Sequence, residues 1–175
     1  MSEIIIRTAT VDDAKAILNI YSYYIENTAI TMEYVVPTIE QFEGRITKTL
    51  ENYPYLVAEQ DGKLLGYAYA GRFHERAAFY RNAEVSIYLD RTVHKSGLGR
   101  RLYEELEKQL KERDILNIYA SIAYTDNEDE YLNNNSTHFH EHMGYKQVAR
   151  FNLCAYKFNR WYDLIWMEKM IGEHK

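Results

Sequence analysis

One stretch limits the possible folds more than any other. Ala83, Val85, Ile87 and Leu89 alternate with Glu84, Ser86 and Tyr88, the period of a strand with two unlike faces. Directly after it comes His94-Lys95-Ser96-Gly97-Leu98-Gly99-Arg100. Leu98, Leu102, Leu106 and Leu110 then recur every fourth residue, so a helix with one buried face follows. A strand, a short basic glycine loop and a helix in that order make an anion cradle. Helix N-termini carry unpaired amides and a partial positive charge, and glycine lets a ligand approach the backbone. Ser96 to Arg100 are expected to hold a pyrophosphate, with Lys95, Arg100 and Arg101 adding charge. The spacing is not that of a P-loop, which ends in Gly-Lys-Ser/Thr, and it lacks the third glycine of a dinucleotide fingerprint. An ordinary strand-to-helix connection with turn glycines stays open on these residues alone.

The rest of the chain sets this unit in a mixed sheet. Ile4–Arg7 reads as a strand. Thr10 with Asp13, and Thr38 with Gln41, are capping pairs that open two helices. Tyr55–Gln60 and Lys63–Gly71 read as strands joined by Asp61-Gly62, a hairpin turn that favours positive φ at both positions. Arg81–Asp90 is the strand before the glycine loop, and Asn117–Ala123 is another. Asn135 or Ser136 is expected to cap a short helix that ends at Gly144. Tyr145–Asn152 and Tyr162–Met167 close the chain. The order β-α-α-β-β-β-α-β-α-β-β belongs to the α/β (α+β) class, with helices flanking a mixed, mostly antiparallel sheet. No linker or repeat breaks residues 1–175, which are expected to form one domain.

Composition narrows the function. The formal net charge is −5, and no basic stripe offers itself to nucleic acid. The longest N-terminal apolar run is Ile4–Ile6, too short for a signal or a membrane span, so a cytoplasmic protein without nucleic-acid or membrane partners is expected. The single cysteine, Cys154, reads as an inert thiol. Seventeen tyrosines suit pockets and interfaces as well as cores.

These residues resemble a known family. Gly97 and Gly99 match the Q/R-x-x-G-x-G/A signature of the GNAT N-acetyltransferases, with His94 at the Q/R position. Ala-Glu-Val-Ser-Ile-Tyr at 83–88, Tyr-Pro-Tyr-Leu-Val-Ala-Glu at 53–59 and Gly-Tyr-Ala-Tyr-Ala-Gly at 66–71 are similar to its phosphinothricin acetyltransferase branch. So are His-Glu-His-Met-Gly-Tyr at 140–145 and Arg-Trp-Tyr-Asp-Leu at 160–164. The resemblance implies a GNAT fold and transfer of acetyl from acetyl-CoA to the primary amine of a small, amino-acid-like acceptor, of phosphinothricin or methionine sulfoximine type. It assigns Glu84 as base and His140 as acid or alternative base. Backbone of Ile87, Tyr88 and Leu89 is to meet the pantetheine arm, His94 through Arg100 the pyrophosphate, and Asn133 (with Asn134 and Asn135 as rivals) the coenzyme.

Acceptor recognition is expected from Arg72, His74, Arg76 and Tyr80 after the Gly71 strand, with Tyr24, Thr31 and Tyr34 walling the pocket or a dimer contact. A homodimer is implied, with Tyr156, Phe158, Trp161 and Tyr162 as candidate edge aromatics. No metal is expected, because the histidines at 138, 140 and 142 lack a third ligand. Two rivals remain. The acidic run Asp126, Glu128, Asp129 and Glu130 would suit a polycationic acceptor, a polyamine or aminoglycoside. A non-catalytic acetyl-CoA sensor is the other.

Overall fold

The computed structural model describes residues 2–94 and 96–175. Its elements follow the expected order. Strand β1 (Ile5–Thr8) leads through a 3-10 turn into α1 (Ala14–Asn27) and α2 (Ile39–Leu50). Strands β2 (Tyr55–Gln60), β3 (Lys63–Arg72) and β4 (Asn82–Leu89) follow. Then come α3 (Leu98–Lys111), β5 (Asn117–Tyr124), α4 (Asn135–His142), β6 (Lys146–Lys157) and β7 (Arg160–Met170).

Local chemistry explains most boundaries. The Thr10 amide donates to the Asp13 carboxylate at 2.8 Å. Thr38 and Gln41 bond reciprocally, amide to side chain in each direction, at 2.9 and 3.1 Å. Asp61 and Gly62 both take positive φ, 52° and 77°, as a two-residue hairpin turn requires. Gly144 at φ 92° ends α4, and the Tyr145 amide behind it donates to the His140 carbonyl at 3.0 Å.

Two boundaries differ from expectation. The last hairpin is longer on both arms, because Phe158 and Asn159 make a positive-φ turn without glycine (53° and 58°), which pattern reading passes over. The N-cap of α4 is Asn134, one residue before the expected caps, and its side chain does not cap. Its amide instead donates to the Thr125 carbonyl at 2.8 Å, tying the preceding loop to the helix.

The seven strands lie in the order β1-β2-β3-β4-β5-β7-β6. All neighbours are antiparallel except β4 and β5. That parallel pair holds for only three rungs, Asn82↔Asn117, Ala83↔Ile118 and Glu84↔Tyr119. Beyond Glu84 the strands diverge: β4 stays with β3, and β5 stays with β7. The sheet is therefore split along Val85–Leu89.

Each face carries its own core. On one, α3 packs Leu98, Leu102, Leu106 and Leu110 over Ala68, Ala83, Val85 and Ile118. On the other, α1 and α2 pack Ile17, Tyr21, Phe42 and Ile46 over Tyr55, Val57 and Tyr67. The edge strand β6 leaves Val148, Phe151, Leu153 and Tyr156 exposed. No helix among the described residues is long and apolar enough to cross a membrane.

Candidate active site

Where β4 and β5 part, a cleft of about 230 Å³ runs through the sheet, lined by Val85–Tyr88 from one strand and Ala120–Ala123 from the other. Ile30 and Leu132 border it, as do Tyr103, Ser136 and His140. It continues along β4 into a trough of about 340 Å³ over Ile87, Tyr88, Leu89 and Val93, and then to one of about 300 Å³ over Ser96–Arg100. A long, narrow ligand with an anionic far end fits this shape.

The glycine loop is built as its sequence suggests, with one revision. Gly97 is the N-cap of α3 at φ 71°, a left-handed conformation that costs a side-chain-bearing residue energy. Gly99 serves packing: a Cβ there would meet the Phe139 ring at 3.1 and 3.2 Å. Ser96 Oγ accepts from the Leu98 amide at 3.3 Å. His94 is exposed beside the loop. Arg100 is exposed and lies 3.7 Å from Glu104. Arg101 instead turns back to donate to the Ile4 carbonyl at 2.9 Å. Lys95 lies outside the described residues. Sequence reading missed Arg91, which lines the middle of the trough and lies over Tyr23.

Ile87 and Tyr88 line both the cleft and the trough. Leu89 lines the trough and the pocket over the loop but not the cleft, and its carbonyl already accepts from the Tyr24 hydroxyl. Tyr24 is thus a wall residue. Of the three asparagines, Asn133 and Asn135 line the cleft, whereas Asn134 is committed to Thr125.

Strand alternation puts Glu84 and His140 on opposite sides of the sheet. Ala83 and Val85 point into the α3 core, so Glu84 points to the α1–α2 side, among Ser86, Tyr69 and Tyr88. Burial raises the Glu84 pKa above its ordinary 4.5. His140, on α4, is buried (2% exposed). Burial lowers its pKa to about 4, against the opposing effect of its hydrogen bond to the Ser136 carbonyl. Its Nδ1 lies 2.7 Å from the Ser136 carbonyl and must be the donor. Nε2 is then an acceptor, and the buried Tyr103 hydroxyl donates to it at 2.9 Å. A neutral imidazole in this tautomer has no proton on Nε2 to give. Tyr103 was missed in the sequence because it reads as one more member of the α3 apolar stripe.

The expected acceptor-binding group is dispersed. Arg72 is cross-strand to Ala83, hence on the face away from Glu84, and it pairs with Glu75 at 3.1 Å. His74 accepts from the Arg76 amide at 3.2 Å and packs on Phe79. Tyr80 is exposed and accepts from Arg81 at 2.9 Å. None of these lines the cleft. Tyr34 is exposed and donates to the Tyr156 carbonyl, strapping the loop after α1 to β6. Thr31 is buried, 2.8 Å from Tyr21 Oη.

The acidic run is not a free cationic site. Asp126 pairs with Arg150, Asp129 and Glu130 with Arg160, and Glu128 accepts from the Asn134 amide. Cys154 is exposed on β6, away from the cleft.

An acetyltransferase (GNAT) domain family matches residues 6–166. The chain belongs to the GNAT acetyltransferases. It is 31% identical over 168 residues to the phosphinothricin N-acetyltransferase of Alcaligenes faecalis, covering 95% of this chain and 82% of that one. It is 30% identical over 170 residues to the L-methionine sulfoximine/L-methionine sulfone acetyltransferase of Salmonella typhimurium, covering 97% and 95%. A solved phosphinothricin acetyltransferase from Sinorhizobium meliloti, in complex with acetyl-CoA, superposes with a TM-score of 0.88 at 27% identity, over 98% of this chain and 90% of that one. This GNAT chain is thus an acetyl-CoA-dependent N-acetyltransferase.

Proposed function

We propose that this enzyme acetylates the primary amine of a small amino-acid-like acceptor of the phosphinothricin or methionine sulfoximine type, with Glu84 as base. The observation that carries this reading is the placement of Glu84. It is a half-buried carboxylate with a raised pKa at the last rung before the sheet splits, on the face away from the coenzyme loop's helix. The similarity to enzymes named for those acceptors supports the substrate class. Asp126, Asp129 and Glu130 are already paired with Arg150 and Arg160, which favours this acceptor class over a polycation.

Acetyl-CoA supplies a thioester-activated acetyl group. Ser96, Gly97 and the first turn of α3 would hold its phosphates, and the unpaired edge of β4 at Ile87 and Tyr88 would take its arm as an added strand. Asn133 or Asn135 would border that arm at the cleft. An alkylammonium cannot attack a carbonyl. Glu84 removes the proton, directly or through water, from an amine held on the α1–α2 face. Backbone amides of the open β4 edge would stabilise the developing oxyanion. His140 acts through Tyr103: its Nε2 holds the phenol by accepting its one hydrogen bond, and as coenzyme A departs the phenol would turn that O–H from Nε2 to the sulfur. This replaces the role of proton donor expected of His140.

The exposed apolar edge at β6 supports pairing with a second copy, and sedimentation velocity should show twice the chain mass. A single-chain mass at micromolar concentration would remove that part of the reading.

The test is thiol release from acetyl-CoA with a panel of amines, comparing wild type with Glu84→Gln. Turnover of phosphinothricin or methionine sulfoximine, reduced about 10²–10⁴-fold in the variant, is expected. The wild-type rate should fall as pH drops through a range above the ordinary carboxylate value, because protonated Glu84 cannot accept. Full activity in Glu84→Gln removes the base assignment, and coenzyme binding with no turnover on any amine favours a sensor.

A further inference from the structure

We propose that Gly71 forms the floor of the acceptor site and sets which acceptors fit. This rests on the reading of Glu84 as base. Gly71 is the cross-strand partner of Glu84, and antiparallel partners hold their Cβ positions about 5 Å apart on the same face. Any side chain at residue 71 would therefore stand beside the Glu84 carboxylate. A Cβ built on Gly71 meets no atom within 4 Å, and its φ is not in the left-handed range. The backbone there does not need glycine. The space above it does.

The surroundings give that space a shape. Residues two apart on a strand share a face, so Tyr69 rises on the same side as Gly71, and Phe73 lies just past the end of β3. Tyr69 stacks on Tyr55 at 4.9 Å. Phe73 stacks on Tyr119 at 4.1 Å and meets the Trp166 edge at 5.7 Å. Tyr119 is the partner of Glu84 on its other side. The row Gly71, Glu84, Tyr119 thus forms a pit with a carboxylate in its floor and aromatic walls at Tyr69 and at Phe73–Tyr119. Gly71 is the one position in the row with no side chain. A slim aliphatic skeleton bearing a primary amine fits such a pit: apolar carbons between the rings, the amine at Glu84. The class is an α-amino acid with an unbranched side chain.

The test uses the full chain with Gly71→Ala and Gly71→Val. Steady-state kinetics is measured with methionine sulfone and with a smaller amine such as glycine, and acetyl-CoA affinity by calorimetry. Because an added Cβ meets nothing within 4 Å, Gly71→Ala should fold and bind acetyl-CoA as wild type does, and the calorimetry checks the same for Gly71→Val. The KM for methionine sulfone should rise at least tenfold in Gly71→Val and less in Gly71→Ala, shifting preference toward the smaller amine. A KM within twofold of wild type for every acceptor in Gly71→Val, with coenzyme affinity intact, overturns the proposal. If the valine variant fails to bind acetyl-CoA, the alanine variant decides by the same comparison. Failure of the base assignment is a separate result: it shows as full activity in Glu84→Gln and leaves the KM comparison at Gly71 readable.

Discussion

The two faces of β4 are built from different chemistry. Toward α3, Ala83 and Val85 pack with Leu98, Leu102 and Ile118 in an aliphatic core. Toward α1 and α2, Glu84, Ser86 and Tyr88 meet an array of tyrosine rings. Tyr67 stacks against Tyr55, Tyr69 and Tyr88, and Tyr88 touches Tyr21 and Tyr24. The surplus of tyrosine is concentrated here. A phenol gives apolar area and keeps a hydroxyl for a partner, so this face can be packed and still hold polar groups near the base. The aliphatic face supplies stability, and the tyrosine face supplies chemistry. One strand serves both because its side chains alternate.

That division can be broken from either side. The largest stability effect is expected on the aliphatic face. Leu102 is fully buried, and Leu102→Ala should cost about 2–5 kcal/mol in urea unfolding with little change in acceptor KM. A loss under about 1 kcal/mol would mean that this face is not the main core.

Tyr103 sits on the aliphatic side but carries a polar contact to His140. Tyr103→Phe leaves the buried Nε2 without a donor, a cost of about 1–3 kcal/mol. If the phenol also meets the leaving sulfur, kcat should fall by roughly tenfold, the rate equivalent of one such bond, while the acetyl-CoA KM holds. Lost stability with an unchanged kcat would reduce the Tyr103–His140 pair to structure.

The smallest effect sharpens the contrast. Burial raises the Glu84 pKa, so the folded state favours its protonated form. The stability this gives is complete below the ordinary value of 4.5 and is lost as pH rises through the folded value. At pH 7 the carboxylate is a net cost. Glu84→Gln should raise the melting midpoint at pH 7 by a few degrees, the scale of about 1 kcal/mol for a chain this long, and the gain should vanish below pH 4.5. An inactive variant that is more stable marks a residue kept for chemistry. A variant less stable at pH 7 would place Glu84 in a structural bond instead.

The sequence by itself determined the elements and the loop between β4 and α3. Alternation, fourfold leucine spacing, capping pairs and turn glycines are local signals, because each acts within a few residues. They located Gly97 and Glu84 without knowledge of any long-range contact. Only the tertiary structure decided that β5 leaves β4 after Glu84 to stay with β7, and that split makes the cleft. It also turned Arg72 away from Glu84 and brought Phe73 over Tyr119. It brought Tyr103 against a histidine 37 residues downstream, and it paired Asp126, Asp129 and Glu130 of the acidic loop with Arg150 and Arg160 from the last hairpin. Partners far apart in the chain leave no periodic trace. Pairing between distant segments is settled by register and by burial of whole faces, which exist only once the sheet has formed.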